Sequence, residues 1–210
     1  MERLARAYPG ATTALHYKSI FQLLIAVILS AQTTDARVNM VAPHLFEKYP
    51  TPDALAKASR RDVERIIKSL GFYHVKTKSI IAAARALVER FGGHVPKTMD
   101  ELLTIPGVGR KTANVVLAVA FGQSAIAVDT HVFRVANRLA LARATTAAKM
   151  ELALMKVVPK PHWGDVSHWL ILHGRQVCHA RNPQCADCVL CDLCPSAKRF
   201  LRISAGKKRG

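Results

Sequence analysis

The sequence predicts an all-α protein of many short helices, and three observations carry that expectation. Apolar residues recur at intervals of three and four along most of the chain, the period of a helix with one buried face. No stretch shows sustained apolar/polar alternation closed by hairpin turns. Helix-starting hydroxyls and carboxylates, and helix-stopping glycines and prolines, divide the pattern into short segments. At 210 residues, half of them hydrophobic, the chain is long enough to bury a core and to hold one domain or two small ones.

The first strong element is the run Ile20–Leu29, which follows Arg3, Arg6 and Lys18 and precedes Ser30-Ala31. Together these imitate a secretory signal. The run is too short to cross a bilayer, which takes roughly 20 apolar residues, and Glu2, Pro9, Gly10 and a long polar lead-in suit a signal poorly. Residues 19–33 read instead as a central helix, buried nearly all round. Ser59 with Asp62 resembles a carboxylate variant of a capping box before Val63, Ile66, Ile67 and Leu70, and Gly71 stops that helix. Residues 74–90 carry a stripe of Ile80, Ile81, Ala84, Leu87 and Val88, ended by Gly92-Gly93. Thr98 and Glu101 form a second capping box before Leu102, Leu103 and Ile105. Pro106 interrupts, and a helix follows over 110–121, closed by Gly122. Asp129 is placed to cap the next helix, with Val132, Phe133, Val135, Leu139 and Leu141 as its apolar side. Helices over 147–158 and 166–177 complete the pattern, before a cysteine-rich loop and a basic tail from Lys198 to Arg209.

Charge narrows the class of partner. Lys and Arg number 31 against 14 Asp and Glu, a net +17. Such an excess favours a polyanion, because each neutralised phosphate releases counterions. All five cysteines lie in one segment, Cys178-x6-Cys185-x2-Cys188-x2-Cys191-x2-Cys194-Pro195. An odd number packed so closely is a poor disulfide framework and reads as a metal site in a reducing compartment. Zinc or an iron–sulfur cluster would suit these thiolates, and the last four cysteines with Pro195 also approach a ferredoxin spacing.

The chemistry concentrates in Ile105-Pro106-Gly107-Val108-Gly109-Arg110-Lys111. A tight glycine turn followed by a helix N-terminus, with its unpaired N–H groups and positive dipole, suits a phosphate and grips a backbone without reading sequence. Lys111 falls in the first turn of that helix. A cation there opposes the dipole and Arg110 adds like charge, and both favour the neutral amine that a nucleophile needs. Asp129 has two readings: a helix cap, or a carboxylate that takes a proton from an amine and stabilises a developing sugar cation.

Taken with Val128-Asp129-Thr130-His131, the early helix from Leu23 to Gln32, Leu172-His173-Gly174-Arg175 and the cysteines, this hairpin resembles the endonuclease III family of helix-hairpin-helix base-excision glycosylases, over nearly the whole chain. The resemblance implies two helical domains: a six-helix unit over 14–123 containing the hairpin, and a cluster domain made of 1–13 plus 124–210. It implies excision of oxidised pyrimidines from duplex DNA followed by strand cleavage. Lys111 would be the Schiff-base nucleophile and Asp129 the essential carboxylate. Gly107, Val108, Gly109 and Arg110 would bind the DNA backbone, and His131 would help to position the site. The target atom is unreachable in a stacked duplex, so the nucleotide must be flipped out. Gln32 would fill the hole, and Phe72 would intercalate at a position usually held by Leu. Cys178, Cys185, Cys188 and Cys194 would hold a 4Fe-4S cluster, with Cys191 a spare thiol. The expected protein acts as a monomer on damaged double-stranded DNA, away from membranes, in the cytoplasm, and with the nucleoid if the source is bacterial.

Two other readings compete with this one. An adenine-specific mismatch glycosylase relative lacks the lysine and uses a Glu on the early helix, and here no Glu occurs between Tyr17 and Glu47. A non-catalytic, cluster-bearing DNA-binding protein would keep hairpin, tail and cysteines without needing Lys111 and Asp129. His162, His168 and His173 form no familiar metal pattern and are expected to hydrogen-bond. Trp163 and Trp169 are expected to pack.

Overall fold

The computed structural model describes residues 1–207, with side chains through Arg202, so Lys208 and Arg209 of the basic tail lie outside the described residues. No strand occurs among the described residues. In chain order the helices are α1 (Glu2–Ala7), α2 (Ile20–Leu29), α3 (Asp35–Lys48), α4 (Pro52–Ala56), α5 (Arg60–Ile67) and α6 (Tyr73–Phe91). They continue with α7 (Met99–Leu103), α8 (Arg110–Phe121), α9 (Thr130–Leu139), α10 (Ala147–Val157), a 3₁₀ turn (Lys160–His162), α11 (Trp163–Gln176) and α12 (Ala197–Lys207). By contact the chain separates into two compact units, Thr13–Gln123 and Met1–Thr12 joined with Ser124 onward.

In the unit Thr13–Gln123, α2 is the centre. Its Leu23, Leu24, Ile25, Ala26 and Leu29 are fully buried, and it packs against α3, α6 and α8. Ser19 starts it by accepting the Gln22 N–H at 3.2 Å, while Gln22 Oε1 accepts the Lys18 N–H at 2.8 Å. The helix stops at Leu29, short of the expected Thr33, because Gln32 adopts a left-handed conformation (φ 53°). α3 escaped the sequence reading because Pro43 sits inside it. A proline removes one helical N–H, and Asn39, four residues earlier, bonds by its side chain to Ala14 O and His16 N.

The unit holds seven helices and not six. The extra turn, α4, is set by Thr51, whose Oγ1 accepts the Ala54 N–H at 3.2 Å, with Pro52 preformed at the first helical position. The capping box expected at Ser59 does not form: Ser59 is the N-cap residue but makes no side-chain cap bond, and Asp62 is engaged by Lys48 at 3.0 Å and Arg65 at 3.2 Å. At Thr98 the cap half of the expected box forms, with Oγ1 accepting the Glu101 N–H, while the Glu101 carboxylate accepts from the Thr98 hydroxyl and not from its backbone N–H.

The other unit is built around α9 and α11, which pack together. Its core includes Ile126, Val132, Val135, Met150, Leu154 and Leu170. Trp169 is buried there, and Trp163 donates Nε1–H to Val158 O at 2.9 Å. α1 joins this unit through buried Leu4 and Tyr8, and Arg3 reaches Asp192 at 2.6 Å and Val189 O at 3.1 Å. Leu141, expected on the helix after Asp129, lies beyond its end but still packs on this core.

Candidate active site and cysteine pocket

The turn between α7 and α8 is fixed by local bonds. Ile105 is buried and its carbonyl accepts the Val108 N–H at 3.0 Å. Gly107 has φ +82°, and a Cβ there would lie 2.9 Å from Ser79 Cβ, so the fold itself requires glycine. Gly109 differs: its φ is −97° and a Cβ would meet nothing within 4 Å. Nothing inside the unit asks for a glycine there. Val108 is buried by its side chain, and its amide is already used by Ile105, so it anchors the turn. The first helical bond of α8 is Ala113 N–H to Gly109 O at 2.9 Å, which leaves the amides of Lys111 and Thr112 without an intrahelical acceptor. Lys111 is exposed at the second position of α8.

Gln32 and Phe72, also in this unit, share an unusual geometry. Both are non-glycine residues with positive φ, 53° and 57°, and both are exposed, Phe72 to 66%. A bulky residue held left-handed carries a cost of order 1–3 kcal/mol, which marks functional turns more often than ordinary ones.

Asp129 is the N-cap of α9. Its Oδ1 accepts the N–H groups of both His131 and Val132 at 2.8 Å, while Oδ2 takes no hydrogen bond among the described residues. His131 Nδ1 lies 3.1 Å from Arg134 Nη2. A guanidinium only donates, so Nδ1 accepts and the imidazole proton resides on Nε2.

The five cysteines are half-buried and all line one pocket, with Arg138, His173, Pro183 and Phe200 among its other walls. Arg138 Nη1 donates to Cys178 Sγ at 3.4 Å, the Leu190 N–H donates to Cys188 Sγ at 3.4 Å, and His173 Nε2 lies 3.5 Å from Cys188 Sγ. Cys194 Sγ lies 3.5 Å from the Arg138 carbonyl. Cys191 Sγ has no polar partner among the described residues. Burial, followed by the neighbouring thiols, pushes the Cys185 and Cys188 thiols up. Among the described residues, no three His, Cys, Asp or Glu side chains gather closely enough to hold a single metal ion. His173 also meets the Tyr8 hydroxyl at 3.0 Å, a hydrogen-bonding role as expected.

Sequence reasoning missed Arg134 and Arg138. Arg134 donates to Gly174 O at 2.9 Å and Cys178 O at 3.2 Å. Arg138 donates to His179 O and Ala180 O, both at 2.7 Å. Two arginines four apart on a helix with a buried stripe are the only signal, and that spacing is common on solvated faces. α11 approaches closely enough that a Cβ on Gly174 would lie 2.9 Å from His131 Cβ.

Among the described residues, no helix is long and apolar enough to cross a membrane. Residues 25–160 match the family described as HhH-GPD superfamily base excision DNA repair protein. The chain is 54% identical to endonuclease III of Synechocystis over 93% of its own length and 90% of that protein's. It is 47% identical to endonuclease III of Escherichia coli, over 92% of each. Its fold superposes, with a TM-score of 0.92 and 45% identity, on an endonuclease III trapped as a covalent intermediate with DNA, covering 96% of this chain and 95% of that one. The chain belongs to the endonuclease III family of HhH-GPD base excision DNA repair proteins.

Proposed function

We propose that this protein is a bifunctional DNA glycosylase and abasic-site lyase that removes oxidised pyrimidines, such as thymine glycol, from duplex DNA. The observation that carries this reading is Lys111, an exposed primary amine in the first turn of α8, directly after a glycine turn. A covalent DNA intermediate, as named for the related endonuclease III, requires such a nucleophile.

The reaction divides among residues of this chain. The amides of α8 and the side-chain-free Gly109 receive a phosphate, with close backbone approach and the helix dipole supplying the attraction. The Lys111 amine attacks C1′ of the flipped nucleotide, the C1′–N bond breaks with its electron pair going to the base, and water protonates the departing base. Asp129 is the proposed carboxylate of the reaction, with Oδ2 the oxygen open to take up a proton and to stabilise cationic character at the sugar. Ring opening gives an imine between Lys111 and C1′. The imine makes the C2′ proton acidic, and its removal expels the 3′ phosphate by β-elimination. Water then hydrolyses the imine and frees Lys111. His131 presents its Nε2–H, and Gln32 and Phe72 occupy the space that the flipped nucleotide leaves.

Cys178, Cys185, Cys188 and Cys194 are the proposed ligands of a 4Fe-4S cluster, with Cys191 left over. The fit rests on five thiols that line one pocket and on N–H donors aimed at two of the sulfurs. Burial pushes the Cys185 and Cys188 thiols up, so binding must displace protons from those two sulfurs. When bound, the cluster supplies a cross-link that fixes the loop carrying Arg181, with exposed Arg175 on the preceding helix, for phosphate contact.

The test mixes the protein with a thymine-glycol duplex and cyanoborohydride, which reduces an imine to a stable amine. A covalent adduct on a denaturing gel that vanishes in Lys111→Ala is the expected result. No adduct despite intact DNA binding would refute the lyase mechanism in favour of a monofunctional relative or a non-catalytic binder.

A further inference from the structure

Lys76 is 4% exposed, has no ion-pair partner among the described residues, and belongs to no motif that the family reading uses. Its Nζ donates to Thr33 Oγ1. That hydroxyl in turn donates to the Ala31 carbonyl at 3.4 Å, and the Thr33 N–H closes onto Ser30 O at 3.1 Å. Gln32 therefore sits in a turn whose two flanks are tied to one buried amine. At its other end the same residue donates its backbone N–H to Phe72 O at 3.0 Å, the bond that begins α6. The two exposed non-glycine residues of this unit with left-handed backbone, Gln32 and Phe72, are thus joined through a single lysine.

We propose that Lys76 is a positioning residue that clamps the Gln32 turn to the start of α6, so that Gln32 and Phe72 are presented to duplex DNA as one wedge. The inference rests on the glycosylase reading of those two residues and adds what holds them. Each left-handed residue is disfavoured alone and persists only where its surroundings over-determine it. Thr33 supplies that restraint for Gln32, and the first turn of α6 supplies it for Phe72. Burial pushes the Lys76 ammonium down in pKa, so this amine is an expensive way to fill space. An apolar side chain of equal length would fill it at lower cost.

Lys76→Met keeps the length and removes the bond, and Thr33→Val removes it from the other side while leaving Lys76 in place. Both are assayed in single turnover on two substrates, a thymine-glycol duplex and a single-stranded oligonucleotide with an abasic site. The second offers Lys111 its sugar without any stack to open. The expected result is a fall of about 10- to 100-fold on the duplex, single-strand cleavage near wild type, and an unchanged or raised melting temperature for Lys76→Met. Equal losses on both substrates, with a lowered melting temperature, would make Lys76 an ordinary core residue and overturn the clamp. Unchanged duplex rates in both variants would overturn it as well. A wild-type protein inert on both substrates would sink the enzymatic reading itself. The clamp would then be judged by amide exchange at residues 31–33, which must accelerate in Lys76→Met if it exists.

Discussion

Asp129 has one observed role, as a cap, and one proposed role, in the reaction, and substitution tells them apart. As a cap its Oδ1 receives two N–H groups at 2.8 Å, so Asp129→Ala removes both and costs about 1 kcal/mol, within a range of roughly 0.5–2. For a chain of this size that is a fall of about 2–4 °C in melting temperature. Asp129→Asn retains a carbonyl oxygen at the same place and ranks with Asp as a cap. It forfeits only the charge–dipole attraction at the start of α9, about 0.3–1 kcal/mol, and so melts closer to wild type than Asp129→Ala. Catalysis sorts the variants differently. An amide oxygen is no proton acceptor at neutral pH, so both variants lose adduct formation by about 100-fold or more, the usual scale for removing a general base. The assay is single-turnover trapping with cyanoborohydride beside a melt of each variant. If Asp129→Asn traps DNA at the wild-type rate while Asp129→Ala does not, the carboxylate is a cap alone and its role in the reaction is refuted.

The two glycines of the hairpin should respond in opposite ways. Gly107→Ala combines left-handed strain of about 1–2 kcal/mol with overpacking against Ser79 of about 1–3 kcal/mol; urea unfolding should show the sum, and adding Ser79→Gly should recover only the second part. Gly109→Ala should leave stability unchanged and weaken DNA binding; a normal affinity would remove the close-approach argument. Iron and acid-labile sulfide should fall in Cys188→Ser and persist in Cys191→Ser, and the reverse pattern would overturn the proposed ligand set. Deleting the chain after Phe200 keeps that ring over Arg138 at 4.5 Å but removes Arg202, Lys207, Lys208 and Arg209. The slope of log affinity against log salt should become shallower by up to about 0.9 per lost contact, and equal slopes would show that the tail does not touch DNA.

What the sequence disclosed was whatever local chemistry decides. The glycine turn, the Thr98 cap and the Asp129 cap were legible because each is settled within four residues. Elements that depend on distant partners were not. α3 was hidden by Pro43, and what ties that helix down, the Asn39 side chain bonding to Ala14 and His16, lies more than twenty residues away in the chain. Ser59 and Asp62 had the spacing of a box, but Lys48, from another helix, engaged the carboxylate. The end of α2 was misplaced because nothing in Gln32 itself announces a positive φ; the bonds that accompany it come through Thr33 and Lys76. Gly107 and Gly109 look alike in sequence, and only Ser79 beneath one of them shows that the fold requires the first and not the second.

The distribution of bonds along α9 connects the cysteine loop to the carboxylate. Asp129 fixes the start of this helix, and Arg134 and Arg138 reach from its later turns to the carbonyls of Gly174, Cys178, His179 and Ala180. Ser196 adds a bond of 2.8 Å to the Arg138 carbonyl. The whole helix is ten residues, about 15 Å, too short to bend much between its two ends. A loop held by the proposed cluster would therefore hold α9, and through it the position of Asp129. Arg138→Met leaves every cysteine in place and withdraws donors from His179, Ala180 and Cys178 Sγ. If the cysteine loop is secured through α9, this variant should lose iron faster than wild type in the presence of a chelator. Its single-turnover rate should fall in step with the iron, on duplex and single-stranded substrates alike, because the carboxylate serves both. Iron loss with an undiminished rate would separate the cluster from catalysis, and wild-type iron retention would show that the loop is secured without Arg138.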